Sequence, residues 1–252
     1  MTAQIADATA APENSREQRR RDLERRSLRA AFADALGMTW TIAAWFWGIF
    51  LVVQIVVAFL ANRYADKGID LANFTPYGAP QIFLFVMGIV TGSGFLTVHV
   101  LSGGTRRSAV RGWLVAAPVL GVSFAVVNLL VGWIVKGAIS LVGGEAESTT
   151  FYGDGEPITA TAALAVIGTV MYASGLAVFA AYRRWGGWLG TLALLVTLAP
   201  ASFMSWSFDQ GRTVELAFPG VGTSGLGWVG AVVAIPLAAA LVYLLLRRIP
   251  VE

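Results

Sequence analysis

The 252-residue chain contains no cysteine and a single histidine, His99. Without cysteine there is no disulfide scaffold, no thiolate nucleophile and no Cys-based zinc or iron–sulfur site. One histidine cannot build an H-E-x-x-H metalloprotease motif, and His–Arg phosphatase or transferase sites are disfavoured for the same reason. No G-x-x-x-x-G-K-[ST] phosphate loop occurs, so the chain carries no P-loop ATPase site of its own. Charge is also scarce, at 13% of residues, where a soluble domain has about 25%. No Asp or Glu lies inside any of the long apolar stretches. That speaks against a proton- or sodium-driven pump, which needs ionisable groups in the membrane, and against a membrane enzyme.

What is present is apolar. Hydrophobic residues make up 56% of the chain and the mean hydropathy is +0.68. A spanning helix needs about 20 apolar residues to cross about 30 Å of hydrocarbon. Six charge-free runs qualify: Trp40 to Asn62, about Pro80 to about Leu101, Gly112 to Val135, Pro157 to Tyr182, Trp185 to Phe208, and a last one from about Ser224 to Leu246. All are too long, and too little alternating, for the strands of a membrane barrel. The expected fold is all-α, a polytopic membrane protein with six transmembrane helices. The first run is longer than a signal-peptide core and no small-x-small cleavage site follows it cleanly. Arg19-Arg20-Arg21 stands about twenty residues ahead of that run, too far for a twin-arginine signal.

Charge orients the spans. With the N-terminus placed in the cytoplasm, fourteen of the 18 basic residues fall on that side: Arg16 to Arg29, Arg106, Arg107, Arg111, Arg183, Arg184, Arg247 and Arg248. Only Arg63, Lys67, Lys136 and Arg212 fall outside, and the outer loops hold eight of the 15 acids. The positive-inside rule therefore puts both termini in the cytoplasm and the chain in the cell membrane. The basic pI, about 9.5, is a topology signal and implies no nucleic acid.

Residues 1–13 read as a disordered tail. From Ser15 to Gly37 the pattern is helical, with Ser15 and Gln18 as a capping box. Leu28, Ala31, Phe32, Ala35 and Leu36 form one apolar face among arginines. This predicts an amphipathic helix lying on the inner leaflet, its arginines on anionic lipid. The expected division is residues 1–38, a cytoplasmic basic tail and amphipathic helix, and 39–252, the six-helix transmembrane domain. The outer loop from Gly143 to Glu156 holds four carboxylates but reads as solvated rather than as a calcium site.

Few residues inside the spans carry chemistry. His99 reads as an interfacial or hydrogen-bonded histidine, and Lys136 as snorkelling from a helix end. Gln54 and Asn128, nearest a midplane, are expected to hydrogen-bond between helices. Gly88/Gly92 and Gly186/Gly190 are G-x-x-x-G pairs, read as ordinary helix packing ahead of a dimer seam. Pro118, Pro200 and Pro236 should kink their helices.

The turn after the second span is the most informative stretch: Leu101-Ser-Gly-Gly-Thr-Arg106-Arg107-Ser-Ala-Val-Arg111-Gly112. Its Ser-Gly-Gly-Thr-Arg-Arg string resembles the G-x-T-R-R turn between the second and third helices of type-2 ATP-binding-cassette exporter permeases. Six spans, cytoplasmic termini and an amphipathic N-terminal helix extend the resemblance over most of the chain as pattern, though only about eight residues carry it as motif. The resemblance implies a short coupling helix that docks on a separate ATPase subunit, with Gly104, Thr105, Arg106, Arg107 and Ser108 as the coupling turn. It implies a homodimer or heterodimer of permeases and no cofactor in this chain. Phe218-Pro219-Gly220, before the last span, is where a broken segment would dip back into the membrane. The alternative is a non-transport membrane protein, an immunity, assembly or signalling subunit.

Overall fold

The computed structural model describes residues 13–64, 78–141, 157–207 and 224–246. The acidic loop from Gly143 to Glu156, Phe218-Pro219-Gly220, the residue 1–12 part of the tail and Arg247-Arg248 lie outside them. Among the described residues the structure is all helical, with no strand. In chain order the helices are α1 Glu13–Tyr64, α2 Ala79–Leu101, α3 Arg106–Leu141 and α4 Pro157–Thr197. Two more follow, α5 at residues 199–207 and α6 Ser224–Leu246. Five helical runs are long and apolar enough to cross a membrane, and the longest is Ala160–Ser207.

That longest run is not straight. Gly186 has φ 73° and ψ −174°, a conformation open essentially to glycine alone. Residues eight apart on a straight helix are separated by about 12 Å along the axis. Here a Cβ on Gly190 would lie 3.0 Å from the Tyr182 Cα, and the Tyr182 and Thr191 hydroxyls are 3.1 Å apart. Further along, Met171 shares a groove with Leu198, Ala201 and Ser202. The arms on either side of Gly186 therefore run back antiparallel. Gly186 is a turn residue rather than half of a packing motif. The helix is interrupted at residue 198, two residues before Pro200, whereas α3 and α6 pass through Pro118 and Pro236 without interruption.

Packing follows small residues. Lipid tails are as apolar as side chains, so helices associate through close contact and not through hydrophobic exclusion. A Cβ on Gly88 would strike the Tyr172 carbonyl and approach the Gly175 Cα to 3.1 Å. One on Gly121 would strike the Ala165 carbonyl, and one on Gly92 the Phe179 ring. These glycines seat the first arm of α4 against α2 and α3. Ala109, Ala116, Ala117, Ala177, Ala180 and Ala181 are buried around it. Phe46, Phe83 and Phe124 join α1, α2 and α3 in a ring stack, Phe46 and Phe83 being 4.4 Å apart.

The outer faces show which solvent the helices expect. On α1 the buried positions are Ala43, Trp47, Phe50 and Gln54, whereas Trp45, Ile49, Val52 and Val56 are exposed. The outward stripe is the more apolar one and the polar Gln54 faces in, the reverse of a water-soluble helix. This is the pattern of a multi-pass membrane protein.

The stretch expected to form the amphipathic helix runs on into the first span: among the described residues Glu13–Tyr64 is a single 52-residue helix, about 78 Å long. Gly37 does not end it, since one glycine costs only about 1 kcal/mol in an otherwise favourable helix. The apolar face at 28–36 is covered by protein: Ala31 and Ala35 are buried, and Phe32 and Leu36 pack on the core. A Cβ on Gly112 of α3 would lie 2.7 Å from the Ala31 Cβ and 2.8 Å from the Leu28 carbonyl oxygen.

Candidate functional site

The stretch joining α2 to α3 is built from two helix-end devices placed back to back. Gly103 adopts φ 89°. Its N–H donates to the Val100 carbonyl at 3.1 Å, and the Gly104 N–H to the His99 carbonyl at 2.9 Å. Those two bonds make a Schellman ending that satisfies the last carbonyls of α2. Gly104 then passes directly over His99. A Cβ there would strike the imidazole and come within 2.7 Å of the His99 carbonyl oxygen.

Thr105 caps the next helix. The Ser108 N–H donates to Thr105 Oγ1 at 3.1 Å, and the Thr105 N–H donates back to Ser108 Oγ at 3.1 Å. This reciprocal pair is a capping box in which serine takes the place usual for Glu or Gln. Thr105 and Ser108 therefore hold the turn's shape. Arg106 and Arg107 occupy the first two helical positions, Arg106 half-buried and Arg107 exposed. Cations at a helix N-terminus oppose the helix dipole, by a few tenths to about 1 kcal/mol each. Helix stability therefore does not explain the arginine pair.

The turn is anchored to α1 as well. Ser27 Oγ lies 2.7 Å from Ser108 Oγ and 3.1 Å from His99 Nε2, and His99 Nε2 lies 3.1 Å from Ser108 Oγ. Ser108 Oγ also donates to the Thr105 carbonyl at 2.7 Å and receives the Thr105 hydroxyl at 3.1 Å. One hydroxyl has one proton and two lone pairs, so these neighbours share Ser108 by exchange. The result is a polar knot tying α1, α2 and α3, with His99 and Ser108 both buried. At its rim, Arg111 Nη1 meets Glu24 Oε1 at 3.1 Å, a half-exposed pair worth at most about 1 kcal/mol.

All five residues of the expected coupling turn, Gly104 to Ser108, thus sit together: Gly104, Thr105 and Ser108 hold its shape, Arg107 is exposed and Arg106 half-buried. Ser27 and His99 belong to the same unit and were missed as such. Ser27 is 72 residues from its histidine partner, and no spacing rule connects them. His99 fits its hydrogen-bonded reading.

A second polar feature lies between α2, α3 and α4. Gln81 Oε1 and Asn128 Oδ1 are buried with no hydrogen-bond partner among the described residues. Both line one cavity of about 10 Å³ with Phe124 and Gly168, space for about one water. The expected interhelical bond from Asn128 Oδ1 is therefore not made directly. Deeper still, the Tyr172 hydroxyl donates to Thr91 Oγ1 at 3.1 Å. Among the described residues no group of three His, Asp or Glu is placed to hold a metal ion. Comparison with protein-family models, curated proteins and solved structures finds no match to the chain.

Proposed function

We propose that the chain is the membrane-spanning permease subunit of an ATP-driven exporter, working with a separate ATP-binding-cassette ATPase. It sits in the cell membrane with both termini cytoplasmic and crosses six times, the two arms about Gly186 counting as separate crossings. The observation that carries the reading is the turn at residues 102–108. It is held by a Schellman ending, a capping box and the Ser27–His99–Ser108 knot, yet it presents Arg106 and Arg107 where the helix dipole disfavours them. A rigid, basic, cytoplasmic corner suits transmission of force from a soluble partner with acidic groups.

The small space beside Gln81 and Asn128 takes about one water. That supports a transport path between two permeases, two copies of this chain or one copy with a similar partner. The same close packing favours one alternative, a non-transport subunit that binds a partner and moves nothing. Residues 13–26 of α1 extend about 20 Å beyond Ser27, and in this reading Arg25, Arg26 and Arg29 are the arginines that meet anionic inner-leaflet lipid.

The test is the double variant Arg106→Glu/Arg107→Glu, which reverses the charge of the corner and adds repulsion to lost attraction. It should insert normally, because twelve basic residues still hold the cytoplasmic side. It should fail to co-purify with, or stimulate, the ATPase. An ATPase complex retained with full activity, or no ATPase with the wild-type chain, contradicts the permease reading.

A further inference from the structure

We infer that the groove between the second arm of α4 and α6 is a binding site for one inner-leaflet anionic phospholipid, its acyl chain in the groove and its phosphate on Arg183 and Arg184. The groove has a volume of about 300 Å³ and is lined by Trp185, Leu189, Ala193, Val196, Leu241 and Leu245, with Thr197 as its one polar wall residue. From Leu189 to Thr197 it rises eight residues, about 12 Å, with Trp185 at its base. One leaflet of the hydrocarbon core is about 15 Å thick. Its depth therefore matches a lipid tail lying along the bilayer normal.

Charge defines the occupant. At the base of one wall, Arg183 and Arg184 precede Trp185, and the Arg184 guanidinium lies 5.1 Å from the centre of the Trp185 ring. The stack holds that cation beside Trp185 at the groove's base, with exposed Arg183 next to it. On the other wall Leu245 lines the groove near the same end as Trp185. The basic end of the groove is thus Arg183 and Arg184, and neither α4, α5 nor α6 contains a single Asp or Glu. An apolar slot with guanidinium groups at its mouth fits a diacyl lipid with a phosphate headgroup, as basic pockets between cytoplasmic helix ends do. The site depends on the orientation proposed above but not on export, and it holds equally for a non-transport subunit.

The experiment is native mass spectrometry of the intact chain released from nanodiscs containing phosphatidylglycerol and phosphatidylcholine in equal parts. One phosphatidylglycerol per chain should be retained preferentially. Arg183→Gln/Arg184→Gln should weaken retention about 25-fold, roughly fivefold per basic residue at such a surface. Ala193→Phe, which fills the groove, should abolish it. Val196→Trp, at a more exposed wall position, gives the same reading if Ala193→Phe does not fold. Arg19→Gln/Arg20→Gln should leave retention unchanged, and neither inorganic phosphate nor dihexanoyl phosphatidylglycerol should compete. Equal retention of both lipids, retention that survives the arginine variant, or retention that survives both filled-groove variants overturns the proposal. So does a lipid-free dimer that Ala193→Phe dissociates, since a second copy would then be the occupant. Loss of the lipid with an intact ATPase complex would leave the exporter reading standing, and the converse would leave the lipid site standing.

Discussion

Replacing Ser108 with alanine separates a simple helix cap from a three-helix anchor. The substitution deletes the acceptor for the Thr105 N–H, half of the capping box, at about 1 kcal/mol. It also removes the group that Ser27 and His99 share. Those two remain 3.1 Å apart and can keep one bond with each other, so this second loss is about 1 kcal/mol and not the full penalty of two stranded groups. Ser108→Ala should therefore destabilise by about 2 kcal/mol, whereas Thr105→Ala, which leaves the Ser27–His99–Ser108 contacts in place, should cost about 1 kcal/mol. Ser27 and Ser108 contact one another, so the two alanine changes should combine to less than their sum, with a coupling of about 0.5–1 kcal/mol. The assay is reversible unfolding of the purified chain in mixed detergent micelles, with the four members of the double-mutant cycle measured together. If Ser108→Ala costs no more than Thr105→Ala, and the cycle shows no coupling, the knot is a geometric coincidence and the turn is held by its cap alone.

Three further outcomes follow from the packing. Gly186→Ala forces a side chain into a conformation reserved for glycine and should cost about 1–3 kcal/mol, measured by the same unfolding assay. Gly88→Val drives a side chain into the Tyr172 carbonyl and should cost about 1–3 kcal/mol, while Gly94→Ala, with open space around it, should be close to neutral. Tyr172→Phe removes the bond to Thr91 and should cost about 0.6–2 kcal/mol, with no change in insertion into membranes.

The apolar stretches were legible because each carries its own signal. The helix beginning at Pro157, the end of α2 at Leu101 and the body of α3 fall where charge-free runs and glycines place them. The separation at Gly186 was readable from Arg183-Arg184, although the same glycine had been paired with Gly190 as a packing motif. The continuity of α1 was not readable. A change from arginine-rich to apolar sequence marks a change of solvent, and the backbone ladder continues through it because nothing near Gly37 terminates a helix. The turn at 102–108 was visible as glycines and arginines, but its internal logic was not. Thr105 and Ser108 read as part of a docking motif, whereas their hydroxyls are committed to backbone caps. The partner that locks them, Ser27, lies 81 residues from Ser108, and only the folded chain brings the two together.

Because the chain has no cysteine, a single Arg107→Cys variant carries one thiol, at the exposed corner of the turn. Cross-linking from that thiol in native membranes, with the captured protein identified by mass spectrometry, tests coupling at its point of contact. The account predicts an ATP-binding-cassette ATPase joined to residue 107, with yield falling when Arg106 is also changed to Glu and absent from Leu141→Cys at the opposite helix end. An accessible thiol at 107 that captures no such ATPase, or captures it no better than the thiol at 141, would contradict it.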